Sequence, residues 1–175
     1  GEEGFGYCRE TAKAASESLG IPEDSVLVAS TGVIGMQLPI DRIANGVKAM
    51  APKLEGSREA GLEAAKAIMT TDTEKKEAAV EIEIGGKTVT VGGMCKGSGM
   101  IHPNMCTMLG FITSDVDISK ELLQEALSED IKDTYNMVSV DGDTSTNDTV
   151  LLLANGQAGN CLLYTSPSPR DMRRS

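Results

Sequence analysis

The strongest constraint on the fold is an alternation of apolar and acidic side chains near the middle of the chain. β-Branched residues alternate with glutamates over residues 80–84, Gly85 and Gly86 follow, and a second β-prone run covers residues 88–91. A period of two is typical of a strand, and two such runs separated by a pair of glycines are typical of a tight hairpin. The sequence therefore predicts antiparallel pairing of these two runs.

Helical and further strand patterns surround the hairpin. Helices are predicted over residues 7–19, 39–50 and 57–69, and in a segment that Ser119 caps. Short apolar runs predict strands over residues 26–29, 108–112, 137–140 and 149–154. We therefore expect a mixed α/β fold in which at least the hairpin is antiparallel.

Composition excludes several classes of function. The net charge is −10, from 26 acidic against 16 basic residues, which disfavours a nucleic-acid partner. No apolar run is long enough to predict a membrane span, and the N-terminus does not resemble a secretory signal. The four cysteines have no CxxC spacing, so we expect free thiols in a cytoplasmic protein, with no metal and no cofactor.

A glycine-rich stretch, residues 92–110, follows the hairpin and carries the candidate chemistry. It does not fit a phosphate-binding loop, because Ser98 stands where that motif needs lysine. It does not fit a dinucleotide fingerprint either, because His102 stands where the third glycine belongs. Thr107 lies where the stretch meets an apolar strand, which is a good place for an accessible and rigidly held nucleophile.

A threonine hydroxyl needs a base, and two sources are open. His102 is the only histidine, but a single loop histidine is more often structural or solvated than catalytic. The other source is the α-amino group of Thr107 itself, whose ordinary pKa is about 7.7–8.0, once the preceding peptide bond is cut. From composition alone, an ordinary loop threonine is the more common case at such a position.

Four segments resemble the ornithine acetyltransferases, also called glutamate N-acetyltransferases, of arginine biosynthesis. The segments occur in the family's order at residues 29–35, 68–73, 96–111 and 140–148, and the resemblance covers about residues 1–160. It implies a layered αββα sandwich, incomplete at both ends in this chain, that is related in mechanism to N-terminal-nucleophile hydrolases. It also implies self-cleavage between Cys106 and Thr107, where the family more usually has alanine before the threonine.

The resemblance assigns roles to individual residues. Thr107 becomes the nucleophile that carries the acetyl group from N-acetylornithine to glutamate, with acetyl-CoA as a possible further donor. Thr31 and Gly32 form the oxyanion hole, and Thr70, Lys96 and Thr107 contact substrate. Residues 1–106 then belong to an α chain and residues 107–160 to the start of a β chain, in an α2β2 assembly.

Two alternatives remain at this point. A self-cleaving aminopeptidase of the N-terminal-nucleophile type would use the same chemistry with water as the acceptor. An inactive truncated chain is the non-enzymatic alternative, because residues 161–175 lack any periodicity and read as a non-native or disordered tail.

Overall fold

A computed structural model describes residues 2–33, 35–99, 108–141 and 147–160. The chain divides by its internal packing into two compact units, Gly1–Ala67 and Ile68–Ser175. This division reflects packing, whereas the predicted boundary between the α and β chains is a cleavage position. That boundary, at residues 106 and 107, lies outside the described residues.

The first unit is helical. It contains α1 (Glu2–Leu19), α2 (Ile40–Met50) and α3 (Arg58–Ala67), and α1 packs against α2. The predicted end of α1 is confirmed, since Gly20 adopts a φ of 68° and donates its N–H to the Ser16 carbonyl at 2.9 Å. The predicted cap of α3 is also confirmed, because the Ser57 hydroxyl accepts the Ala60 N–H at 3.1 Å.

The second unit is built on a four-stranded sheet with the order β1-β2-β3-β4. The predicted hairpin is confirmed as β1 (Lys76–Ile84) paired antiparallel with β2 (Lys87–Lys96). Gly85 and Gly86 have φ values of 59° and 74°, which the tight turn requires and which glycine adopts without strain. β2 is longer than predicted and includes the first residues of the glycine-rich stretch.

Two further strands complete the sheet. β3 (Leu109–Ser114) pairs antiparallel with β2, and β4 (Thr149–Ala154) pairs parallel with β3. The parallel pair needs a crossover, and α4 (Lys120–Asp133) lies in it. The predicted cap of α4 is confirmed, because the Ser119 hydroxyl accepts the Leu122 N–H at 3.3 Å.

The predicted α/β class is therefore confirmed, and the strands among the described residues form one sheet. Two strand predictions were wrong. Residues 26–29 form no strand, although Val26 has an extended backbone, because an apolar run becomes a strand only where a partner pairs with it. Residues 137–140 form none either, since a 3-10 turn (Tyr135–Met137) takes up the start of that run.

Candidate functional site

The candidate site is organised by a buried carboxylate, Asp72, in the turn between α3 and β1. Its side chain is completely buried. Its Oδ1 accepts hydrogen bonds from the Gly97 N–H at 2.8 Å and from the Lys76 ammonium at 2.6 Å. Its Oδ2 accepts the Thr70 N–H at 3.3 Å. One carboxylate therefore joins the turn at residue 70 to the end of β2.

The hairpin register explains why these residues meet. Lys76 begins β1 and lies opposite Cys95 near the end of β2. The turn that precedes Lys76 is consequently brought beside the residues that follow Cys95. A second contact joins the same two segments, because the hydroxyl oxygens of Thr71 and Ser98 lie 2.6 Å apart.

Hydrogen bonding keeps Asp72 ionised. Burial opposes its charge, as removal of a carboxylate from water does in general. The hydrogen bond from Lys76 and the two backbone N–H groups outweigh that effect and lower the pKa of Asp72 from 3.8 to about 2. At neutral pH the carboxylate is therefore a stable acceptor for all three donors.

Lys96 is the last residue of β2 and lies directly beside this junction. It is 4% exposed and is the only buried lysine or arginine in the part of the chain that the structure describes. It lies opposite Leu109, the first residue of β3. A lysine buried at a strand end is suited to bind one carboxylate of a small substrate, because its ammonium group is a compact point charge.

The chain immediately after the predicted cleavage position is also anchored. The Met108 N–H donates to the Asp148 carboxylate at 2.9 Å, and the Met108 carbonyl accepts the Thr149 N–H at 3.1 Å. Both backbone polar groups of Met108 are thus satisfied by the segment that leads into β4. Hydrogen bonds to residues 148 and 149 therefore hold the start of β3 in place.

The structure brings together only some of the predicted site residues. Thr70 and Lys96 lie in one junction of the second unit, connected through Asp72 and Gly97. Thr31 and Gly32 belong to the first unit, in the connection that leads to α2, with Thr31 half-buried and Gly32 exposed. Three predicted residues lie outside the described part of the chain: His102, Cys106 and Thr107.

Sequence reasoning missed Asp72 and Asp148. Asp72 lies in the segment 68–73, in which the resemblance assigns a role only to Thr70, although an aspartate beside hydroxyl residues often accepts backbone N–H groups in a turn. Its bond to the Thr70 N–H, two residues back, is of this local kind. The long-range hydrogen bonds, from the Gly97 N–H to Asp72 and from the Met108 N–H to Asp148, depend on the sheet register. No short motif in the sequence predicts them.

Three further findings concern metal binding, cysteine chemistry and membrane insertion. No group of three or more histidine, cysteine or acidic side chains that could hold a metal occurs among residues 2–33, 35–99, 108–141 and 147–160. Burial raises the pKa of the Cys95 thiol, which disfavours the thiolate that a cysteine nucleophile needs. Within the same described ranges, no helix is both long and apolar enough to cross a membrane.

Comparisons with known proteins extend this description. The chain is 58% identical over 160 residues to the arginine biosynthesis bifunctional protein ArgJ of Symbiobacterium thermophilum. The matched region covers 91% of this chain and 39% of the relative. It is 53% identical, with the same coverage, to the protein of that name from Lactococcus lactis. The chain thus spans about 39% of the length of these curated relatives.

A solved structure is similar as well. The crystal structure of the arginine biosynthesis bifunctional protein ArgJ from Bacillus halodurans is 43% identical, with a TM-score of 0.54. The similarity covers 59% of this chain and 53% of the crystallised chain.

The sheet and its crossover define a mixed α/β protein whose strand ends carry polar groups. Residues 1–174 match the model of the ArgJ family, and the chain belongs to that family.

The charge of Asp72 predicts how stability depends on pH. Because its pKa is lowered on folding, its contribution is complete above 3.8 and is lost as the pH falls through about 2. A shift of this size corresponds to about 2 kcal/mol in the free energy of unfolding. We expect the stability difference between wild type and Asp72→Asn, from urea unfolding, to shrink by about that amount between about pH 5 and about pH 2.

A second variant controls for the loss of the carboxylate itself. Lys76→Met removes the cation and keeps both backbone hydrogen bonds to Asp72. The pH dependence of its stability should therefore lie between those of wild type and Asp72→Asn. A wild type and an Asp72→Asn protein that lose stability in parallel over this range would contradict the assignment.

Proposed function

We propose that the complete protein carrying this chain transfers an acetyl group from N-acetylornithine to glutamate in arginine biosynthesis. The proposal rests on the 58% identity over 160 residues to a relative that is named an arginine biosynthesis bifunctional protein. The junction of Thr70, Asp72 and Lys96 supports it, because it brings a buried lysine, whose positive charge suits the carboxylate of an amino acid, close to the segment of Thr70.

The proposed mechanism begins with self-cleavage. The Thr107 hydroxyl attacks the Cys106 carbonyl, and the peptide bond is exchanged for an ester that water hydrolyses. This step gives Cys106 a carboxylate and Thr107 a free α-amino group. That amino group is then the general base for the adjacent hydroxyl, as in other N-terminal threonine nucleophiles.

Acetyl transfer follows in two half-reactions. The Thr107 hydroxyl attacks the amide carbonyl of N-acetylornithine, ornithine leaves with the proton, and an acetyl ester remains on Thr107. The amino group of glutamate then attacks this ester and restores the free hydroxyl. Thr31 and Gly32 donate hydrogen bonds to the oxyanion in both half-reactions, which lowers the barrier where negative charge develops.

The remaining assignments concern binding and assembly. Lys96 pairs with the α-carboxylate that both substrates share, and Thr70 contacts the substrate beside it. Acetyl-CoA serves as a second acetyl donor, a proposal motivated by the word bifunctional in the names of the relatives. We also propose an α2β2 assembly in the cytoplasm that needs no bound cofactor.

The test of this function is ornithine release by the full-length protein from N-acetylornithine with and without glutamate. Release that depends on glutamate is expected for a transferase, whereas equal release in both conditions would identify a hydrolase of the N-terminal-nucleophile type. The 175-residue chain is the matched control. It should not turn over, because apolar side chains of the sheet are exposed in it, including Val80 at 57% and Leu153 at 46%.

Self-cleavage predicts the fate of variants at the nucleophile. Mass spectrometry of the full-length protein should find a β chain that begins at Thr107. Thr107→Ala should remain one chain and be inactive, whereas Thr107→Ser retains a hydroxyl and should keep some cleavage. A fully active enzyme that stays uncut would contradict the mechanism.

The oxyanion assignment predicts a rate effect at Thr31. Thr31→Ala should lower kcat for acetyl transfer by about 10²- to 10³-fold, the usual cost of one oxyanion donor. Thr31→Ser, which keeps the hydroxyl, should retain most of the activity. If kcat of Thr31→Ala equals that of wild type, Thr31 belongs to an ordinary turn.

A further inference from the structure

The side chain of Asp72 is completely buried at the candidate site, yet none of the roles above uses it. Its carboxylate accepts two backbone N–H groups and one ammonium, and a neutral residue of the same shape cannot accept all three. A carboxylate is costly to bury unless its oxygens are hydrogen-bonded, and here three donors of the junction meet that need.

The two backbone donors come from the segments that hold the predicted substrate contacts. Thr70 itself donates one N–H, and Gly97, directly after Lys96, donates the other. The two oxygens of one carboxyl group are at a fixed separation. The distance between the Thr70 backbone and the end of β2 is therefore set by covalent geometry at Asp72.

We infer that Asp72 is a positioning residue that holds Thr70 and Lys96 at the separation needed to bind the substrate's α-carboxylate. This inference rests on the proposed function. Asp72 does not touch the substrate but acts through the two residues that do. The fixed separation means that less conformational freedom is lost when substrate binds.

Lys76 has a supporting part in this arrangement. Its ammonium balances the buried negative charge at 2.6 Å while its side chain stays 43% exposed. Lys76 thus supplies the positive charge that neutralises Asp72, so Lys96 is not needed for that task. The exposed lysine and the buried lysine thus have different tasks around the same carboxylate.

The experiment compares variants of the full-length enzyme in acetyl transfer from N-acetylornithine to glutamate. Asp72→Asn should raise KM for N-acetylornithine by about 10- to 100-fold, the usual effect of losing hydrogen bonds to a charged group. The fall in kcat should be smaller, and self-cleavage should remain complete. Rates are normalised to the amount of cleaved β chain, so that a lower folded fraction does not enter the comparison.

Asp115→Asn is the matched control. The Asp115 carboxylate also accepts a backbone N–H of β2, that of Thr90, at 2.8 Å, but this bond lies away from Lys96. Its KM should stay within about twofold of wild type. An equal KM in wild type and Asp72→Asn would overturn the inference, as would equal increases in Asp72→Asn and Asp115→Asn.

A double-mutant cycle separates positioning from general destabilisation. If Asp72 acts through Lys96, the double variant with Asp72→Asn and Lys96→Met should be within about twofold of Lys96→Met alone in kcat/KM. Additive losses would overturn the inference. If Asp72→Asn yields no soluble enzyme, Asp72→Glu replaces it: the charge is kept, one methylene shifts the acceptors, and an unchanged KM would again count against the inference.

Failure of the proposed function gives a different result from failure of this inference. A wild type that does not transfer acetyl groups from N-acetylornithine to glutamate refutes the function whatever Asp72 does. An active wild type whose KM for N-acetylornithine is unchanged by Asp72→Asn refutes the positioning role alone.

Discussion

The second unit depends on the hydrogen bonds that Asp72 accepts inside the protein. A buried carboxylate is stable only when its oxygens are satisfied, and here the donors come from three places in the chain. The turn after α3, the start of β1 and the end of β2 are therefore joined at one point. None of these segments can move away without leaving a buried charge short of a partner.

The hairpin makes this junction possible. Its register brings the start of β1 beside the end of β2, so residues separated by 25 positions in the chain become hydrogen-bonded neighbours. A shift of one residue would reverse the faces of every side chain on β2 and would remove Lys96 from the buried side. The glycine turn at residues 85 and 86 excludes such a shift, because two-residue hairpin loops fix the register.

Local patterns in the sequence predicted local structure well. The helix caps at Ser57 and Ser119, the glycine end of α1 and the two-residue hairpin are encoded by neighbouring residues, and all are confirmed. Strand formation was predicted less well, since residues 26–29 have the right composition but no pairing partner. The lesson is that a strand depends on a partner elsewhere in the chain, which composition does not reveal.

The candidate site shows the same difference between local features, which the sequence predicts, and long-range contacts, which it does not. The resemblance named Thr70 and Lys96 from their segments, and in the structure one carboxylate accepts the N–H of Thr70 and the N–H of Gly97, the residue after Lys96. Asp72 itself was missed, because its importance depends on the register that brings Gly97 to it. The positions of Cys106 and Thr107 stay predictions, since both lie outside the described residues.

The glycines after the hairpin have a structural reason that bears on Lys96. A Cβ at Gly93 would lie 3.2 Å from the Phe111 carbonyl oxygen, and one at Gly110 would lie 3.5 Å from the Tyr135 hydroxyl. Gly110 pairs with Cys95, so Tyr135 packs over the face of the sheet on which this pair lies. Successive side chains of a strand point to opposite faces, and Lys96 therefore projects from the other face. Tyr135 therefore covers the face of the sheet opposite to the one on which Lys96 lies, so the tyrosine ring does not compete with a carboxylate for the lysine side chain.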